Sequence, residues 1–315
     1  MHPTPRRLFC VGTAVVDIVM YVKGLPERGG DVVASSSMLA VGGAFNVMLA
    51  ARRQRLEVTY AGGHGTGPFG EMVRAVIAEA GIEAAAPVTL TADTGFTIAF
   101  VTGDGERTFA TARGAEATIR REGLDALDIR AIDMVYVSGY ALADLASGVA
   151  IADWVTGLQP TVTVVADPGP LVEQIPEQVL RAIADRCDWW TCNQREAQMM
   201  TDQVSPKEAI GGLSKLAGRK GVVVRIGANG CFLAERGRDV VHLPAPKMSA
   251  VDTSGAGDAH TGAFLAALAY GLEPRVALQR ANVAGAIAVS RTGPATSPTA
   301  EELARALMDL AGSPS

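Results

Sequence analysis

No run of apolar residues approaches the roughly 18 needed to cross a bilayer, so neither a membrane span nor a membrane partner is expected. An excess of positive charge is missing too. The 28 Lys and Arg stand against 33 Asp and Glu, a formal net charge of −5, which offers a nucleic acid no basic footprint. The basic pairs Arg6-Arg7 and Arg120-Arg121 lie in mixed sequence and read as solvated surface. Cysteine is scarce, and Cys10, Cys187, Cys192 and Cys231 form no CxxC pair, which argues against zinc. Cys10, Cys192 and Cys231 fall in apolar runs, as small core residues of a reducing compartment do. His64, His242 and His260 share no ligand spacing. GxxxxGK[ST] is absent, which disfavours a P-loop NTPase. The N-terminal residues Met1–Arg7 lead into a strand-like segment without the apolar stretch of a secretory signal, so a cytoplasmic protein is expected.

What is present is a core. The chain has 315 residues, 48% of them hydrophobic, enough to fold without disulfides as one large domain or two ordinary ones. Apolar runs at residues 8–12, 58–61, 132–139, 161–167, 189–192 and 221–226 read as strands, several apolar on both faces. Helical patterns lie between them. The alternation predicts an α/β fold, a mainly parallel sheet with helices on both faces. Two stretches break it. Residues 31–40 look like a strand with one polar face. Residues 94–101 and 107–112 flank Gly103-Asp104-Gly105, a hairpin-type turn. They predict a small β lid of residues 31–44 and 93–113 over a main domain of residues 1–30, 45–92 and 114–315. Such a sheet needs support, and pairing of its exposed face in a homodimer would supply it.

The segment Asp252-Thr-Ser-Gly-Ala-Gly-Asp258 runs into a strong helical pattern. Gly255, Ala256 and Gly257 carry little or no side chain, so their N–H groups can approach an anion at a helix start. The helix dipole favours charge building on a transferring phosphoryl group. Asp258, in the first turn, is placed to take the proton of an attacking hydroxyl. On spacing alone a capped tight turn explains the segment equally well.

The same segment resembles the DTxGAGD signature of the ribokinase-like (PfkB) carbohydrate kinases, in a bacterial sugar-kinase branch. Val41-Gly-Gly-Ala-Phe-Asn46 resembles the family's Gly-Gly motif, and Asn193-Gln-Arg-Glu196 its NxxE motif. The resemblance spans roughly residues 8–310. It implies a three-layer α/β/α sandwich with a β lid and an ATP-dependent phosphotransferase. The acceptor would be a hydroxyl, a primary alcohol, of a small sugar or sugar-like molecule; a nucleoside acceptor is the alternative on the same fold. It further implies that Asp17, Gly42, Gly43 and Asn46 meet the sugar, and that Asn193 and Glu196 organise Mg2+ through water. Arg225, where the family often has Thr, would border ATP with Gly227, Gly230 and Asn282. Asp252, Gly293 and Ser297 lie where some members hold a monovalent cation such as K+. Two departures stand out. Ala166-Asp-Pro-Gly-Pro-Leu171 lacks the Arg that many sugar-acid kinases carry after Asp-Pro. Gly63–Gly70 lacks the Asp often found before its final Gly, Gly67 standing nearby.

A reading of another class comes from Gly65-Thr-Gly67-Pro-Phe-Gly70. It fits GxGxxG after a strand and before a helix, with Glu83 further on for a ribose, as in a nicotinamide-dependent oxidoreductase. Pro68 sits poorly in such a loop, and Gly255–Asp258 would go unexplained.

Overall fold

The computed structural model describes residues 6–104 and 106–312. Its strands form two sheets. The strands in chain order are β1 (Leu8–Val11), β2 (Ala14–Tyr21), β3 (Ser36–Gly43), β4 (Val58–Tyr60), β5 (Glu83–Ala84), β6 (Phe96–Val101) and β7 (Arg107–Ala112). They continue with β8 (Met134–Ser138), β9 (Thr163–Asp167), β10 (Trp189–Asn193), β11 (Gly221–Arg225), β12 (Cys231–Glu235) and β13 (Val241–Leu243).

The large sheet has nine strands in the order β13-β12-β11-β10-β9-β8-β1-β4-β5. It is parallel from β11 to β5, and β12 and β13 extend it antiparallel. The segments Cys231–Glu235 and Val241–Leu243 thus complete this sheet. Strands apolar on both faces are buried on both. Leu8 and Cys10 of β1 enter one core, while Phe9 and Val11 enter the other. Met134 and Tyr136 of β8 part from Val135 and Val137 in the same way, as the two-residue period of a strand requires. Helices Ala44–Arg53, Ala256–Ala269 and Pro274–Val289 build the first core, and Leu145–Gly157, Glu177–Arg186 and Pro206–Leu216 the second. The result is the expected three-layer sandwich.

The small sheet has the order β3-β2-β6-β7. The piece expected at residues 31–40 is corrected: β3 begins at Ser36, and β2, which falls within the bounds given above to the main domain, is a central strand here. The run from Leu8 to Tyr21 looks continuous in sequence, but at Gly12 and Thr13 the chain leaves one sheet for the other. A Cβ on Gly12 would stand 2.8 Å from the Ala44 Cβ and 3.0 Å from the Ser138 Cβ, so the crossing has no room for a side chain. Gly103 and Asp104 form the turn before β7; Gly105 lies outside the described residues, as do Met1–Pro5.

Arg7 is also corrected. It is not loose surface: its guanidinium bonds the buried Asp133, with Nη2 2.6 Å from Oδ2 and Nε 3.2 Å away. Arg6 donates to Thr163 Oγ1 at 2.6 Å, tying the start of β1 to β9. The four cysteines are buried free thiols.

Candidate active site

A cavity of about 710 Å³ lies between the small sheet and the C-terminal ends of the parallel strands, the usual place for a ligand in an open α/β sheet. Ser138 ends β8, Asp167 ends β9, Asn193 ends β10 and Arg225 ends β11, and all four line it.

One wall is the start of helix Ala256–Ala269. Gly255 precedes it with φ +66°, and a Cβ there would stand 1.9 Å from the Pro294 carbonyl oxygen. Only glycine fits. Asp258 follows in the first turn. Asn46, from helix Ala44–Arg53, donates Nδ2–H to Asp258 Oδ2 at 3.0 Å. Asn46 is not the helix cap; Gly43 holds that position with φ +63°. Burial pushes the Asp258 carboxyl up to about 6; Asn46 and Arg225 pull it down while the charge of Asp167 pushes it up. A carboxylate so poised is ionised at neutral pH and still basic enough to accept a proton.

A second cluster sits at the ends of β9, β10 and β11. Asn193 and Glu196 form a capping box. Asn193 Oδ1 accepts from the Glu196 N–H at 2.9 Å, and Glu196 Oε2 accepts from the Asn193 N–H at 2.8 Å. Burial, then the charge of Asp167, pushes Glu196 up to about 7, against the pull of Arg225. Arg225 donates Nη1–H to Thr191 Oγ1 at 2.7 Å and to Thr261 Oγ1 at 3.0 Å, and Nη2–H to Asp167 Oδ2 at 3.1 Å. Burial works against its charge, but Asp167 and Glu196 more than offset that. Its Nε lies 3.5 Å from where a Gly257 Cβ would be, so the guanidinium backs directly onto the glycine-rich turn. Asp167 was not singled out from sequence. The signal was there: an acidic residue closing an apolar strand of a parallel sheet.

The small sheet forms the opposite wall. Asp17 of β2 pairs in register with Thr97 of β6, and Thr97 with Thr111 of β7. The two threonine hydroxyls are 3.1 Å apart. All three residues line the cavity as one polar row. Burial, then the charge of Asp258, pushes Asp17 up to about 6, while Arg107 pulls it down. Gly42 lies under this carboxylate: a Cβ there would be 2.0 Å from Asp17 Oδ2. Arg107 of β7 crosses the cavity to pair with Asp252 Oδ1. Thr97 and Thr111 escaped sequence reasoning because only strand register aligns them with Asp17, and Arg107 because its partner Asp252 lies 145 residues away.

Other residues stand apart. Gly227, Gly230, Asn282 and Ser297 do not line the cavity. Asn282 is corrected: it is buried, its Nδ2 bonding the Leu243 and Pro244 carbonyls at 2.9 and 3.2 Å, and its Oδ1 lies 3.2 Å from His260 Nε2. Its amide fastens the loop after β13 and leaves no donor for a ligand. Burial drives His260 down to about 3, so it is neutral. Ser297 is buried, and its carbonyl accepts from Arg53 Nη1 at 2.5 Å.

The GxGxxG reading fails on geometry. Asp93 Oδ2 accepts from the Phe69 N–H at 3.1 Å, and Asp93 Oδ1 from the Gly70 N–H at 2.7 Å. The helix start that would cradle a pyrophosphate is already filled by a carboxylate. Glu83 instead accepts from Thr59 Oγ1 at 3.3 Å.

Known proteins resemble this chain in sequence and in fold. The uncharacterized sugar kinase YegV of Escherichia coli (strain K12) is 32% identical over 304 residues, 95% of this chain and 94% of that one. A ribokinase from Giardia lamblia matches with a TM-score of 0.85 at 22% identity, over 98% of this chain and all of the other. A ribokinase of Arabidopsis thaliana, solved with ribose and ATP, matches with a TM-score of 0.78 at 21% identity, over 96% of this chain and 99% of that one. These structures show the fold to be ribokinase-like. The model of the pfkB family carbohydrate kinases matches residues 5–301, and the chain belongs to that family.

Proposed function

We propose that this carbohydrate kinase transfers the γ-phosphoryl group of ATP to a hydroxyl of a small sugar held between the small sheet and the sheet ends. One observation carries the proposal. Asp258, raised to about 6 and held by Asn46 at 3.0 Å, shares a cavity with the Gly255–Gly257 helix start and the polar row of Asp17.

The roles follow from chemistry. Asp17, with Gly42 giving it room and with Gly43 and Asn46 lining the same cavity, takes acceptor hydroxyls. Asp258 accepts the proton of the attacking hydroxyl. The N–H groups of Gly255, Ala256 and Gly257 meet the charge on the phosphoryl oxygens. Arg225, held from behind, adds fixed positive charge there. Gly227, Gly230 and Asn282 shape the loops on the nucleotide side without lining the cavity. Phosphoryl transfer is mostly positioning and charge stabilisation, and the small sheet acts as a lid that excludes water.

Mg2+ fits the oxygen donors Asn193 and Glu196, hard ligands for a hard cation reached through water; when bound it would neutralise phosphate charge. K+ would rest mainly on backbone oxygens of Asp252, Gly293 and Ser297; the side chain of Asp252 is itself well bonded. Asp252 accepts from Gly293 N–H, Ser254 and Arg107, and Ser297 from Arg53. No step is assigned to K+. Pairing of two small sheets, where Leu39 is exposed, would give a homodimer, tested by sedimentation. The four buried free thiols accord with a reducing cytoplasm.

The test is transfer from ATP to a panel of pentoses, hexoses, sugar acids and nucleosides, read by product mass. A phosphorylated sugar supports the proposal. A nucleoside monophosphate alone would move the acceptor to the nucleoside class, and no product from any acceptor would count against transfer altogether.

A further inference from the structure

Arg107 and Asp252 belong to opposite walls of the cavity, 145 residues apart in sequence. Asp252 does not depend on this contact. Its Oδ1 also accepts from the Ser254 N–H at 2.8 Å and from Ser254 Oγ at 2.6 Å, and its Oδ2 accepts from the Gly293 N–H at 2.9 Å. These bonds hold the carboxyl down near 2 even though burial opposes its charge, and Arg107 is the smallest of the contributors. The guanidinium can therefore leave without orphaning a buried charge.

Among the described residues the Arg107 guanidinium is hydrogen-bonded to Asp252 alone. Arg225 is pinned by Thr191, Thr261 and Asp167. The remaining arginine lining the cavity, Arg113, lies six residues further along the segment, about 20 Å at the rise of an extended chain. Arg107 opens β7, the edge strand of the small sheet, which pairs with β6 alone. Its charge is felt by Asp17 on the acceptor side and it touches Asp252 on the phosphate side. The guanidinium thus lies between the groups that would hold acceptor and phosphate.

Resting on the kinase function proposed above, we infer that Arg107 is a catalytic residue: it passes from Asp252 to the phosphoryl group in transfer, so that closing the small sheet and neutralising the reacting charge are one event. In that step the acceptor oxygen bonds to phosphorus as the bond from phosphorus to the bridging oxygen of ADP breaks. The acceptor proton goes to Asp258. Arg107 exchanges no proton; it keeps its charge and changes partner, from a carboxylate to phosphoryl oxygens. Asp252 is then the resting place that keeps the guanidinium extended across the cavity before ATP arrives.

The experiment compares wild type, Arg107→Met and Arg107→Lys by kcat, acceptor KM and melting temperature, with and without added guanidinium chloride at constant ionic strength. The expected result for Arg107→Met is an unchanged melting temperature and a kcat lower by about 10³-fold, the low end for an arginine acting on a transferring phosphoryl group. Acceptor KM should stay within about threefold. Millimolar guanidinium should restore part of kcat saturably, and sodium should not. Arg107→Lys should keep the fold and fall between the two. A kcat within about threefold of wild type overturns the inference, as does a loss confined to acceptor KM. So does a lowered melting temperature without guanidinium rescue in both variants, which would make Arg107 a structural clasp. A wild type that phosphorylates no acceptor overturns the kinase proposal itself, and is told apart because no variant is then needed.

Discussion

Asn46 Nδ2 lies 3.0 Å from Asp258 Oδ2 and donates to it, joining the first turn of helix Ala44–Arg53 to the first turn of the helix beginning 210 residues later. The bond favours the ionised carboxylate, against burial and the charge of Asp167. Asn46 Oδ1 is itself buried and has no partner among the described residues. The amide is held for the acid and keeps an acceptor to spare.

The sign of the pH dependence follows. Asp258, the base proposed above, could act only when ionised, and its carboxyl is raised to about 6. The rate kcat/KM should rise with pH through that value and level off above it. Asn46→Ala removes a bond that lowers the Asp258 value, so the acid limb should move to higher pH. Turnover should fall more at pH 6 than at pH 8. A limb that stays in place would separate Asn46 from the titration.

Asp258→Asn should reduce transfer by about 10²-fold or more, with ATP binding retained by calorimetry. The same change should stabilise the fold at pH 8. A carboxyl whose folded value is raised favours the native state below its unfolded value and loses that contribution as pH climbs through about 6. Above that, the buried charge is a cost that the amide removes. Melting curves at pH 5 and pH 8 check this: the gain should appear at the higher pH and shrink at the lower.

Gly42→Ala tests the acceptor wall. The new Cβ would stand 2.0 Å from Asp17 Oδ2, at the mobile end of a side chain, so the protein should fold and the carboxylate should move. Acceptor KM should rise about tenfold while the ATP KM stays within about twofold. Equal changes in both would mean that Asp17 serves the whole site.

Asp93→Ala removes the acceptor of the Phe69 and Gly70 N–H groups at the start of helix Pro68–Glu79. Urea unfolding should show a loss of about 0.5–2 kcal/mol, the usual worth of such a cap. Turnover per folded molecule should be unchanged.

What could be read from sequence was what lies contiguous along the chain. Asp252–Asp258 carries its glycines, helix start and acid together, and Asn193–Glu196 closes on itself within one turn. The strands of the large sheet were readable because burial on both faces makes them apolar throughout. What could not be read depends on distant partners. β2 fell inside the bounds given to the main domain, since its apolar residues pack as well in one sheet as in the other. Thr97 and Thr111 look like ordinary strand residues until register aligns them with Asp17. Asn282 resembled a nucleotide contact, yet its amide is spent on Leu243 and Pro244. Asp93 supplies from another loop the carboxylate that Gly63–Gly70 lacks.

Helix Ala256–Ala269 is enclosed on nearly every side, with Phe264 and Leu265 fully buried, and a Cβ on Gly262 would stand 2.5 Å from the Ala50 Cβ. Asp258 is therefore fixed to the part of the molecule least able to change. Asp17, Thr97 and Thr111 stand on a sheet whose edge strand is mostly exposed. Substitutions there disturb little of the core. If the roles proposed above hold, a lineage carrying this architecture can exchange one sugar for another by rewriting the small sheet, while the helix that carries Asp258 passes unaltered from one acceptor to the next.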